Sequence, residues 1–138
     1  MSDHFPLRLV TPTGIVFEGE VRQVTAVGPL GEFGVLADHI NFITSLMPGL
    51  MRITKEDTTL ETWVVSGGLT EVKDGAMTVL ASGAQTPASI NRAQAEDEER
   101  QATHKIEAIS FYDVGYPAAE EALQLARARV QAAAPATR

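Results

Sequence analysis

Cysteine is absent from the 138 residues, which removes disulfides, thiolate metal sites, iron–sulfur clusters and a thiol nucleophile together. That absence suits a reducing compartment. Aromatic residues make up only 6%, and the three histidines, His4, His39 and His104, show no His-x-x-x-His spacing, so no metal site is expected. Apolar runs stop at three residues, as in Ile15–Phe17 and Trp63–Val65, against the ~20 needed to cross a bilayer. A soluble chain is expected, and Met1-Ser2-Asp3-His4 has neither the basic nor the apolar stretch of a secretory signal. Basic residues are also few: eleven Lys and Arg against eighteen Asp and Glu leave a net charge of −7. This balance opposes nucleic acid and anionic lipid and favours a basic partner surface.

What is present divides into two parts, residues 1–87 and 88–138. All but one of the eleven glycines lie at or before Gly83, among short segments rich in Val, Ile, Thr and Phe. Leu7 and Leu9 bracket Arg8, Gly14 and Gly19 flank Ile15-Val16-Phe17, Val21–Val27 is β-branched, Leu60–Val65 alternates, and Met77–Ala81 is a further apolar segment. Between them stand Pro29, Gly31, Pro48-Gly49, Gly67-Gly68 and Asp74-Gly75, the last a strong hairpin signal because both residue types tolerate positive φ. Strands recurring at this spacing without intervening helices predict an antiparallel β-sandwich of eight to ten strands in two packed sheets.

From about residue 88 the period becomes helical. Ser89 is read as the N-cap of a helix reaching Ile109, Ser110–Pro117 as a break, and Ala118–Ala133 as a second helix ended by Pro135. The apolar faces are thin: Ile90, Ala95, Ala102, Ile106 and Ile109 on the first helix, mostly alanine on the second. At ~25 cal/mol per Å², alanine burial gains little, so this antiparallel hairpin should dock by only a few kcal/mol and be open to displacement by a ligand or partner.

Catalytic patterns do not emerge. Gly28-Pro29-Leu30-Gly31-Glu32-Phe33-Gly34 lacks the Lys-Ser/Thr ending of a phosphate loop, and Ser66-Gly67-Gly68 is not a nucleophile elbow. One polar loop invites a docking role: Gly31 to His39 places Glu32, Asp38 and His39 near Gly31 and Gly34, and a carboxylate there would seek Arg or Lys on a partner. Glu96-Asp97-Glu98-Glu99 reads as a solvated helix face, with Arg100 available to Glu96. Arg127 and Arg129, near the end of the second helix, complement its dipole and could equally meet an acidic partner or a phosphate.

The order of motifs resembles one family. Phe17-x-Gly19 with Val21, Gly31-Glu32-x-Gly34-Val35-Leu36-x-x-His39, Pro48-Gly49, Val65-Ser66-Gly67-Gly68-x-x-Glu71-Val72, Val79-Leu80-Ala81 and an alanine-rich helical hairpin together resemble the epsilon subunit of the bacterial F-type ATP synthase over nearly the whole chain. The resemblance implies a non-catalytic rotor component without cofactor or metal. Such a subunit binds the gamma subunit and stands on the c-ring, peripheral on the cytoplasmic face of the bacterial inner membrane and tied to the membrane only through the complex. By the same resemblance, Glu32, Gly34, Asp38 and His39 face the c-ring loops. The hairpin, with Arg127 and Arg129 as inhibitory contacts, reaches the alpha and beta subunits of the catalytic head and restrains hydrolysis. Truncation after Thr86 would then raise the hydrolysis rate.

Some members of that family bind ATP through Ile/Leu-Asp-x-x-Arg-Ala at the start of the first hairpin helix. Here the matching residues are Ile90, Asn91 and Gln94, with Arg129 as the remaining cation, so both charged positions of the signature are neutral. ATP binding is therefore expected to be feeble or absent. The competing readings are a free-standing ATP-sensing module, which those two neutral positions oppose, a generic β-sandwich adaptor, and an unrelated enzyme or ligand-binding sandwich, for which no pair of titratable groups is evident.

Overall fold

The computed structural model describes residues 3–133. Nine strands lead: β1 (Phe5–Thr11), β2 (Gly14–Gly28), β3 (Gly31–Leu36), β4 (Phe42–Leu46), β5 (Gly49–Lys55), β6 (Leu60–Val65), β7 (Gly68–Lys73), β8 (Ala76–Ala81) and β9 (Ala84–Gln85). After a tight 3-10 turn at Pro87–Ser89 come α1 (Arg92–Glu107) and α2 (Tyr116–Ala132). Sandwich followed by helical hairpin is the predicted class. Among the described residues, no helix is long and apolar enough to cross a membrane.

The two layers are one hydrogen-bonded ladder, in the order β4-β7-β8-β1-β2-β5-β6-β9, with β3 also on β2. Every pairing is antiparallel except β1 with β8, which run parallel. The ladder folds over, and its β4 end returns to β2 where the Met47 amide donates to the Val27 carbonyl at 2.8 Å. Inward side chains from both layers, including Leu7, Leu9, Val21, Val24, Met51, Ile53, Val65, Met77 and Val79, form a single buried core.

Two segments expected as separate strands, Ile15–Phe17 and Val21–Val27, are one strand, β2, running through Gly19, which pairs with Leu7. β2 changes phase midway. Its pairing with β5 shifts between Val21 and Gln23, so the buried positions are Val21 and then Val24, Ala26 and Gly28. Strict alternation after Val21 would have turned Gln23 inward and Val24 out, and the bulge at Arg22 corrects this. At the β7–β8 turn, Asp74 and Gly75 take φ of 52° and 81°, the two positive angles that a primed hairpin needs. Gly68 has a different constraint: a Cβ there would collide with the Leu80 carbonyl on β8.

The hairpin differs from expectation at its ends. Asn91, not Ser89, caps α1, its Oδ1 accepting from the Gln94 amide at 2.9 Å, while the Ser89 hydroxyl donates to the Thr86 carbonyl at 2.7 Å and closes the preceding turn. Pro117 lies inside the first turn of α2, where its missing N–H has no carbonyl to serve, so the helix starts at Tyr116. Pro135, expected to end the second helix, lies outside the described residues. The hairpin is laid against β5 and β6, where Ile90, Ala95, Ala128 and Ala133 close over Leu50 and Val64.

Candidate functional site

Alternation along β3 turns Phe33 and Val35 toward the core and leaves Glu32, Gly34 and Leu36 on one outward row. The Glu32 carboxylate meets the Arg52 guanidinium of β5 at 3.8 Å, both largely solvated, an ion pair worth at most about 1 kcal/mol. It leaves the carboxylate open to another cation. Gly34 has ordinary room for a Cβ, so the fold itself does not demand glycine there.

Past the far end of β3, Asp38 holds φ of 64°, in a turn closed by the His39 amide donating to the Leu36 carbonyl at 3.3 Å. The His39 ring is half-buried on Phe42, centroids 5.0 Å apart, with Nδ1–H donating to the Ile40 carbonyl at 2.8 Å. About 13 Å of strand separates Glu32 from Leu36. The structure therefore sets Glu32 and Gly34 together and puts Asp38 and His39 at the opposite end of the strand.

The outer faces of the two layers differ. On one, Leu50 and Val64 are direct cross-strand partners and lie under the hairpin. On the other, Leu69 pairs with Leu80, Leu80 with Val10, and Val10 with Ile15, giving a four-strand apolar row across β7, β8, β1 and β2. Leu69, Leu80 and Ile15 are 41%, 47% and 53% exposed, and among the described residues the helices pack on β5 and β6 instead. Sequence reasoning missed this row. Each residue sits alone in its strand's outward phase, and only the register aligns them.

Ionic contacts gather near the amino end of β1. His4 Nδ1 lies 2.7 Å from Glu20 Oε1, and this hydrogen bond to a carboxylate raises the imidazole pKa above its ordinary value. Arg22 holds the Asp3 carboxyl below the usual carboxylate range by hydrogen bond and charge.

The hairpin candidates are dispersed. Ile90 is buried against the sandwich, Asn91 is spent on the cap, and Gln94 is exposed. Arg129 is ion-paired with Glu98 across the hairpin and lines a groove with Gln101, Lys105 and Leu125, away from Ile90, Asn91 and Gln94. Arg127 is exposed and borders a separate cleft with Glu32, Arg52 and Gln124. Among the described residues, no group of three or more His, Asp or Glu is placed to hold a metal ion.

Fold and site together define a β-sandwich with a helical hairpin on one outer face and an apolar row left open on the other. The family model described as "ATP synthase, Delta/Epsilon chain, beta-sandwich domain" matches residues 4–87. The chain belongs to this delta/epsilon chain family of ATP synthase. It is similar to the ATP synthase epsilon chain of Pelotomaculum thermopropionicum, 43% identical over 100 residues that cover 72% of this chain and 74% of that one. It is also similar to the epsilon chain of Campylobacter jejuni (strain 81116), 33% identical over 127 residues covering 92% and 98%. A chain in the Euglena gracilis mitochondrial ATP synthase structure, described as OSCP/F1/c-ring, shares the fold with a TM-score of 0.80 at 23% identity, over 96% of this chain and 82% of that one.

Proposed function

We propose that this chain is the epsilon subunit in the central stalk of an F-type ATP synthase, a non-catalytic rotor component that transmits c-ring rotation to the catalytic head through gamma. The observation that carries the reading, within a chain of this family, is the bare apolar row Ile15–Val10–Leu80–Leu69: a four-strand stripe suited to a protein shaft. The sandwich unit, residues 1–87, clasps gamma there. Glu32, Gly34, Asp38 and His39 form its rim toward the c-ring, Glu32 accepting a basic loop residue in exchange for its loose contact with Arg52. Two ends of one stiff strand then give two anchor points, which resist rotation better than one cluster would.

Residues 88–138 form the regulatory hairpin, docked by small side chains and restraining hydrolysis when displaced toward the alpha and beta subunits, with Arg127 and Arg129 as its cations. Through the complex, the chain sits peripherally on the cytoplasmic face of the bacterial inner membrane. The test is to bind purified gamma to the chain and to Glu32→Lys, then assay proton-driven synthesis in the assembled complex. Gamma affinity should be unchanged and synthesis should drop at least about tenfold, the scale of a lost charge-assisted contact. Absence of gamma binding by the unaltered chain would refute the rotor reading.

A further inference from the structure

The turn between α1 and α2 displays apolar surface that belongs to neither buried cluster: Phe111, Tyr112 and Val114 are 70%, 92% and 98% exposed. Phe111 lies between two other aromatic rings. The Phe111 ring stands edge-on to Tyr112 at 5.6 Å and 89°, and tilts on Tyr116 at 5.1 Å. Beneath them the backbone is tied down. The Asp113 amide donates to the Ser110 carbonyl at 2.9 Å and the Tyr112 amide to the Ser110 hydroxyl at 3.1 Å. The Gly115 amide donates to Asp113 Oδ1 at 2.7 Å, and the Tyr116 amide to the Asp113 carbonyl at 3.0 Å. The ordered turn backbone thus presents two aromatic side chains, the residue type that most often anchors a protein interface, at the outermost point of the hairpin.

Charge selects the occupant. The turn itself carries one carboxylate, Asp113, and no Lys or Arg, and the adjoining helix ends add Glu107, Glu120 and Glu121 against the single cation Lys105. A second copy of the same tip would meet like charge, and an anionic lipid surface would repel it. We infer that the tip is an aromatic plug for a protein pocket with an apolar floor and a Lys/Arg rim, carried by another subunit of the same rotary assembly. This inference rests on the rotor reading above and assigns the hairpin a contact separate from the sandwich's row and rim. The plug seats by burying Phe111 and Tyr112, while the carboxylates speed and orient encounter.

The experiment uses the full-length chain with a photoreactive benzoylphenylalanine in place of Tyr112, irradiated in the assembled ATP synthase. The expected adduct is with one other polypeptide of the assembly, at a segment flanked by Lys or Arg. In parallel, the Phe111→Ser/Tyr112→Ser double variant, whose changes are solvent-exposed and whose folding is checked by circular dichroism, should leave the assembly about tenfold or more faster than the unaltered chain. Adducts only with lipid or a second copy, no adduct at all, or an unchanged dissociation rate would overturn the plug while leaving a chain that still assembles as a rotor. Failure of the unaltered chain to assemble would remove the rotor reading and the plug with it.

Discussion

The sandwich has two outer faces built alike and finished differently. Leu50 against Val64 and Leu69 against Leu80 are both direct cross-strand apolar pairs pointing away from the core. The first pair is roofed by Ile90, Ala95, Ala128 and Ala133 of the same chain, and the second is left to solvent. Because the strands pair in the same way on both sides, local backbone structure does not explain the difference. An outward apolar pair marks where a cover belongs, and on the rotor reading proposed above the open pair is covered by another molecule. The covers also differ in grip: a roof made largely of alanine buries little area per residue and can lift, whereas leucine on an open sheet supplies more area to a permanent partner.

The most damaging test of this contrast attacks the layer under the open face. Gly68→Ala drives a methyl into the Leu80 carbonyl, forcing β7 from β8, and should cost about 3 kcal/mol in urea denaturation, the upper part of the overpacking range. Leu50→Ala removes the footing of the covered face and should cost about 2–3 kcal/mol, read as faster amide exchange throughout α1 and α2 with protection kept in β1 and β8. If exchange accelerated equally in the sandwich, the two units would not be separable. Leu80→Asp inverts the prediction: the free chain should lose only about 1 kcal/mol, the scale of its cross-strand pairs, but its affinity for gamma should fall at least about thirtyfold. Unaltered affinity would mean that the open row faces something other than the shaft.

The smallest effect is at the base of β1. His4 has a raised pKa in the folded chain because Glu20 favours the charged ring, so its contribution to stability is fully present below the unfolded value near ~6.5 and disappears as pH rises through the folded value. An NMR titration should find His4 above an ordinary imidazole, and Glu20→Gln should bring it back down.

Much of this architecture was legible in the sequence because short-range chemistry dictated it. Asp74-Gly75 asked for positive φ and obtained it at the β7–β8 turn. The shift from β-branched segments to Ala, Glu and Gln marked where sheet gives way to helix. Glu32 was singled out by its residue type beside two glycines, and its exposure is what a turn-flanked strand end gives a carboxylate. Features that rest on pairing between distant segments were not legible. The parallel β1–β8 contact, the fusion of two expected strands into β2 and the alignment of Val10, Ile15, Leu69 and Leu80 are all set by register. The cap on α1 was within reach: Asn91 followed at the third place by Gln94 has capping-box spacing, a stronger signal than Ser89 alone. Those same two residues depart from the ATP-binding signature, so the positions where nucleotide contacts would be sought serve the helix end instead.

The fifteen-residue β2 has one further effect on the assembled machine. Its first half is stitched to β1 and its second half to β3 and β5, so a single covalent thread belongs to both slabs of the sandwich. Sliding one slab over the other would require breaking ladder hydrogen bonds along that thread, not merely slipping side chains past each other. Twist delivered at one surface therefore reaches the other with little lag, and the elastic give in this part of the machine is left to its neighbours.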